Sequence, residues 1–140
     1  MTAIVKVKTG SPAEERGSYS RIVAVDNLIF VSNTAGRNPQ TKLIPEDPVE
    51  QTLQVLSNID AALAAVGSTL EDVVAARVFV QFPEDIDAVI TAYADRMRGI
   101  NPTLTLTSPP LGMPEFKVEI EVTAYRGVAK ASVQEITISL

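Results

Sequence analysis

Apolar and polar positions alternate first over Ala3 to Lys8, where Val5 and Val7 oppose Ile4, Lys6 and Lys8, and this predicts a short strand. Thr9 to Ser20 is polar, carries Gly10, Pro12 and Gly17, and reads as a loop. Arg21 to Val25 and Leu28 to Ser32 are rich in β-formers and are joined by Asp26-Asn27, two residues that tolerate positive φ, so a tight hairpin is expected. Thr34 to Glu46 reads as loop again. At Asp47 the period changes. Asp47 suits an N-cap, Pro48 the first helical position, and Glu50 stands three residues after the cap. Val49, Leu53, Leu56, Ile59, Leu63 and Val66 then recur as one helical stripe, and Gly67 ends it. Ser68 with Glu71 forms a second small capping signal. Val73 to Val80 is apolar on both faces apart from Arg77, the signature of a central strand covered on both sides. Pro83 to Gly99 predicts a second amphipathic helix with Ile86, Val89, Ile90, Tyr93 and Met97 inward, broken at Asn101-Pro102. Thr103 to Thr107 and Phe116 to Tyr125 alternate as strands on either side of a Pro/Gly loop, Ser108 to Pro114. In the longer strand Val118, Ile120, Val122 and Ala124 share one face, and Glu119, Glu121, Thr123 and Tyr125 the other.

This order of elements contains two strand–helix–strand crossovers. Right-handed connections place both helices on one face of a mixed sheet. The other face has no helix, yet Val73 to Val80 asks for cover on both sides. Copies of the same chain provide that cover, so a homo-oligomer is expected; the bland alternative is a sheet with one mildly apolar open face. Residues 127–140 read as an extension whose Val133, Ile136, Ile138 and Leu140 are strand-like, adding an edge strand or touching a neighbour. The whole of 1–140 reads as a single domain.

Composition narrows the chemistry. Hydrophobic residues make up 46% and charged residues 21%, an ordinary globular balance. Twelve Lys and Arg against 17 Asp and Glu give a net charge of −5, a poor footprint for gripping nucleic acid. No targeting or membrane-spanning segment is recognised, so a cytoplasmic protein without a membrane partner is expected. There is no Cys and no His. Disulfides, thiolate nucleophiles, Ser–His triads and histidine-bound metals are thereby excluded. A metal site would need converging carboxylates, and no such spacing stands out, so neither metal nor cofactor is expected.

Several short stretches then point in one direction. They are Gly17-Ser18-Tyr19-Ser20, Leu28-Ile29-Phe30-Val31-Ser32, Asn58, Gly67 to Val74, Val78-Phe79-Val80, Ala92-Tyr93, Pro102 and Lys117 to Val122. In order and spacing they resemble the Rid family, also called YjgF or L-PSP, over roughly Gly17 to Gly127. The resemblance implies an α+β, chorismate-mutase-like fold of the bacillus type, with two helices on one face of a mixed sheet. It also implies a homotrimer built as a barrel, with small-molecule clefts between subunits. The best-known members hydrolyse enamines and imines to keto acids and ammonia, holding the substrate carboxylate with an arginine two residues after a proline. Here that stretch is Pro102-Thr103-Leu104-Thr105, so Leu104 replaces the arginine, and no Arg or Lys lies between Arg98 and Lys117. Ile90 and Asn33 depart from the family pattern as well, whereas Tyr19, Ser32 and Glu119 match residues that line its cleft.

The candidate site residues are therefore Glu119 as the acid/base group and Tyr19, Ser32, Asn33, Arg77 and Leu104 as ligand contacts. Each has a plainer reading. Glu119 and Glu121 form a polar strand face by alternation alone. Arg77 interrupts an apolar strand and needs a partner there, Glu119, Glu121 or a neighbouring subunit; alternatively it replaces the missing anion receptor. Arg37, in a Gly/Pro loop, is either solvated or a mobile anion contact over the cleft. Four functions follow: a metabolite-binding trimer with hydrolysis lost or altered, a residual enamine or imine hydrolase on an atypical substrate, an endoribonuclease, and a protein-interaction role. The acidic composition and the lack of His disfavour the ribonuclease.

Overall fold

A computed structural model describes all residues 1–140. One six-stranded mixed sheet organises it: β1 (Ile4–Val7), β2 (Ile22–Val25), β3 (Leu28–Ala35), β4 (Val73–Val80), β5 (Thr103–Thr107) and β6 (Val118–Tyr125). Their spatial order is β1-β2-β3-β6-β4-β5, with β4 and β5 parallel and the other neighbours antiparallel. The expected Asp26-Asn27 hairpin joins β2 to β3, and Asp26 takes a φ of 52°. Helices α2 (Pro48–Ala64) and α3 (Ile86–Arg96) pack on each other and cover one face only. No helix is long and apolar enough to cross a membrane.

The core lies between that face and the helices. Ile22, Ile29, Val78, Val80, Val118, Ile120 and Ala124 of the sheet are fully buried there, against Val55, Ile59, Leu63 and Val89. On the other face Leu28, Phe30, Val74 and Tyr125 remain exposed within the single chain. Arg77, expected to be buried, is 66% exposed there and pairs with Glu121 across β4 and β6 at 3.0 Å. The covering that the sequence of β4 demands is absent from one chain, so the guanidinium stays in water.

The polar segment after β1 is not wholly loop. A short helix, α1 (Pro12–Gly17), starts at Ser11, whose Oγ accepts from the backbone N–H of Ala13 at 3.1 Å and Glu14 at 3.4 Å. Ser-Pro followed by two glutamates is a helix-start signal, but six residues are too few to display an apolar stripe. Strand β3 continues past Ser32 to Ala35 through a bulge between Val31 and Thr34. The start of α2 is as expected, with Asp47 Oδ2 accepting from Glu50 N–H at 3.0 Å. Its buried face is rotated, however. Gln51, Thr52, Val55, Leu56, Ile59 and Leu63 are buried, whereas Val49 and Leu53 are exposed.

A polar hub explains the rotation. The Gln51 side-chain amide donates to the carbonyls of Pro45 (2.8 Å) and Glu115 (3.0 Å) and accepts from the N–H of Lys117 (2.8 Å) and Val118 (3.2 Å). It thereby satisfies backbone groups at the entry to β6, which an apolar side chain would leave unpaired at a cost of about 1–3 kcal/mol each. Gly36 makes room for it, since a Cβ there would stand 2.7 Å from Gln51 Cγ.

The capping signal after Gly67 is shifted by one residue. Thr69 Oγ1 accepts from Glu71 N–H at 3.2 Å, and Ser68 instead donates to Asp72 at 2.7 Å. Pro83–Asp85 forms a separate 3-10 turn before α3, where Val89, Tyr93 and Met97 are buried and Ile86 and Ile90 partly so. Strand β6 begins at Val118 rather than Phe116. Beyond a 3-10 turn at Val128–Lys130 the C-terminal residues pair with no strand, and Val133, Ile136, Ile138 and Leu140 are exposed.

Candidate functional site

The cleft begins with the turn into β2. Ser18 closes α1 with a φ of 54°, and Tyr19 N–H donates to Glu14 O at 3.1 Å. A side chain at 17 would stand 2.8 Å from the Tyr19 ring, so Gly17 lets that ring lie against the backbone. Tyr19 and Arg21 are two residues apart in the segment that joins α1 to β2. The Arg21 guanidinium lies 5.8 Å from the Tyr19 ring centroid, within the reach of a cation–π contact.

Strand β3 and its exit supply the next wall. The bulge at Val31–Thr34 turns Asn33 toward β6, where its Nδ2 donates to Glu119 Oε2 at 2.8 Å. Arg21 Nη1 donates to Asn33 O (3.1 Å) and Thr34 Oγ1 (3.2 Å). Asn58 on α2 ties down the chain beyond, donating to Ala35 O at 3.1 Å and Arg37 O at 2.9 Å. Tyr19, Arg21, Asn33, Arg37, Asn58 and Glu119 thus line one open cleft of about 1070 Å³.

Glu119 is half-buried. Burial pushes its carboxyl above the usual carboxylate range, and the positive charge of Arg21 opposes that shift. Glu14 behaves oppositely behind the wall. Its burial would raise it too, but hydrogen bonds from the Thr9 hydroxyl and N–H, with the charges of Arg21 and Lys8, hold it below the usual range. The two carboxyls are therefore shifted in opposite directions, Glu119 upward in the cleft and Glu14 downward beside Arg21. No group of three or more Asp or Glu converges closely enough to hold a metal ion.

The structure brings together Tyr19, Asn33 and Glu119 of the six expected residues. Ser32 lies beside them in a shallower depression, its Oγ donating to Ser20 O at 2.7 Å. Arg77 and Leu104 do not line the cleft of their own chain. Arg77 is on the open face, and Leu104 is on the edge strand β5 with its side chain in the register of Ala76. Arg37 does line the cleft. Sequence reasoning missed Arg21, although its two-residue spacing from Tyr19 was a usable signal. It missed the anchoring role of Asn58, whose partners are 21 and 23 residues away.

Fold and cleft together define a small α+β domain with a polar crevice beside an uncovered sheet face. Comparison with known proteins places it more closely. The family model described as Endoribonuclease L-PSP matches residues 10–126. An uncharacterized protein of Streptomyces coelicolor is 32% identical over 127 residues, covering 89% of this chain and 94% of the relative. The 2-iminobutanoate/2-iminopropanoate deaminase of Capra hircus is 30% identical over 130 residues, covering 91% and 95%. Among solved structures, a member of the YjgF family from Mycobacterium tuberculosis superposes with a TM-score of 0.79 at 31% identity, covering 88% of this chain and 99% of its own. The chain belongs to this L-PSP family, also called YjgF or Rid, and its fold is the chorismate-mutase-like α+β arrangement.

Proposed function

We propose that the chain assembles as a homotrimer that binds small metabolites in clefts between subunits, with enamine or imine hydrolysis lost or altered. The observation that carries this reading is the convergence of Tyr19, Asn33 and Glu119 in one crevice, with Glu119 accepting from Asn33 and its carboxyl raised by burial. Exposed Leu28, Phe30 and Tyr125 on the uncovered sheet face favour assembly. In such an assembly Leu104 of a neighbouring copy would reach the cleft and make an apolar wall where active relatives place a cation.

A second reading has its own support. Hydrolysis of a C=N bond requires a proton donor and acceptor, and burial raises the Glu119 carboxyl above the usual carboxylate range. Water forms a bond to the imine carbon while the π electrons pass to nitrogen, which takes a proton. The resulting carbinolamine then expels ammonia and leaves a ketone. On this reading Glu119 hands a proton to nitrogen and takes one from water. Among relatives, the Capra hircus protein carries a name for this chemistry.

Generating 2-aminoacrylate in situ and following pyruvate with lactate dehydrogenase tests the proposal. The expected rate is at most a small fraction of that of an arginine-bearing relative under identical conditions. A rate equal to the relative's overturns the claim that hydrolysis is lost or altered.

A further inference from the structure

The last stretch of chain is patterned as a strand and has no partner. Glu135, Thr137 and Ser139 alternate with Ile136, Ile138 and Leu140, which gives an extended chain one polar and one apolar face. Residues 131–140 are all exposed, and none from 132 onward makes a backbone hydrogen bond. Yet the point of departure is fixed. Arg126 donates from Nε to Val66 O and from Nη1 to Asp26 O, both at 2.8 Å, and Ala129 N–H donates to the buried Asp72 at 2.9 Å. The turn at Val128–Lys130 thereby packs on Leu70–Asp72, at the start of β4. This directs the chain away from its own β1, which lies three strands off on the other side of β6. Extended, residues 131–140 reach about 33 Å beyond the anchored turn.

The sheet has two free edges, β1 and β5. The N–H groups of Asp26 and Arg21 donate to Ala3 O and Val7 O, so residues 3, 5 and 7 turn their backbone groups to β2, and Ile4 and Lys6 turn theirs outward. Val5 and Val7 stand in register with the buried Ala24 and Ile22, and Val5 is left 49% exposed. Ile4, Lys6 and Lys8 take the opposite side, and Lys6 has no acidic partner in its own chain. Lysines on a free edge discourage indiscriminate pairing and favour an acidic strand. Glu135 is the one charged residue of 131–140. Edge strand β5 carries no charge, and although it neighbours β4 it stays unpaired with the segment.

We propose that residues 135–139 of one copy add as an antiparallel strand to the free edge of β1 in a second copy. One register satisfies both sides of the added strand. Glu135 stands opposite Lys8, Thr137 opposite Lys6, Ile136 opposite Val7 and Ile138 opposite Val5, so that charge meets charge and the exposed Val5 is covered. The proposal rests on the assembly reading above and names a contact that ties its copies together.

The test exploits the absence of Cys from the chain. In the double variant Val5→Cys, Ile138→Cys, mild oxidation is expected to give covalent species of two and three chains on a non-reducing gel. Either substitution alone, and Ile138→Cys combined with Leu104→Cys on β5, is expected to give none. Separately, Ile138→Asp is expected to raise the concentration at which the assembly half-dissociates by about tenfold or more, with an unchanged circular dichroism spectrum.

Loss of both thiols without a larger species marks a link within one chain and overturns the proposal. So does a link through β5 in place of β1, or unchanged assembly in Ile138→Asp. If three chains assemble and no link to β1 forms, the added strand falls and the assembly reading stands. A chain that stays single at every concentration overturns both.

Discussion

The two faces of β6 belong to one strand with one alternation, yet they end in opposite conditions. Val118, Ile120, Val122 and Ala124 are at most 3% exposed, sealed by α2 and by neighbouring strands. Glu119, Glu121, Thr123 and Tyr125 face the side that no helix covers. Each residue of the first face is satisfied by its own chain. On the second, Glu121 finds Arg77 and Glu119 finds Asn33, but Tyr125 and its cross-strand neighbour Leu28 are left partly in water. The difference teaches where stability and function separate. One face is finished by folding, and the other is left partly open to water.

Substitutions on the two faces sharpen this contrast. The largest expected effect is on the sealed side. Ile120→Ala removes fully buried methyl groups and is expected to cost about 2–5 kcal/mol, read as a lower urea midpoint with an unchanged slope. A loss below 1 kcal/mol would mean that the core tolerates collapse at its centre.

Next come two separate buried carboxylates, Asp72 and Glu14. Asp72 accepts from Ser68 Oγ and from Ala129 N–H, and these and other backbone bonds outweigh its burial and hold it below the usual range, as happens for Glu14. Such groups bind protons more weakly folded than unfolded, so their stabilisation is present above the ordinary carboxyl range and is lost as pH falls below it. Glu119 has the opposite sign. Its raised folded value means that stability declines slightly as pH rises above the ordinary carboxyl range. Asp72→Asn is expected to flatten the acid limb of a thermal-melt pH series, whereas Glu119→Gln leaves that limb in place and removes the shallow decline.

On the open face the effect on the folded chain is smaller. Arg77→Met deletes an exposed ion pair and is expected to change chain stability by about 1 kcal/mol or less, with any larger consequence appearing in assembly. If this variant keeps its oligomeric state and stops binding ligand, Arg77 is the anion receptor that replaces the missing arginine. The smallest effect belongs to Tyr93, whose buried hydroxyl has no hydrogen-bond partner. Tyr93→Phe removes an unsatisfied group and is expected to be neutral or stabilising by up to about 1 kcal/mol in the same melt. A clear destabilisation would reveal a partner for that hydroxyl.

The sequence made one face of this molecule far more legible than the other. Alternation in Val118 to Tyr125, the Asp47-Pro48 start of α2 and the Asp26-Asn27 hairpin are local signals, and each element appears as expected. The rotated face of α2 was hidden because apolar spacing cannot show that Gln51 is worth more inside than Val49 or Leu53. Its value comes from backbone groups more than 60 residues away. The site divides likewise. Tyr19 and Glu119 were found through family resemblance and Asn33 as a departure from it, but the Asn33–Glu119 bond spans 86 residues and depends on a bulge. Arg21 went unnoticed because a charge at a strand start reads as solvated until the cleft around it is seen.

Sedimentation equilibrium of the full chain across a wide concentration range bears most directly on the claim that the uncovered sheet face is closed by copies of the same chain. The account predicts a stable species of three chains. A solution holding only the single 15.0 kDa chain at every concentration would contradict it.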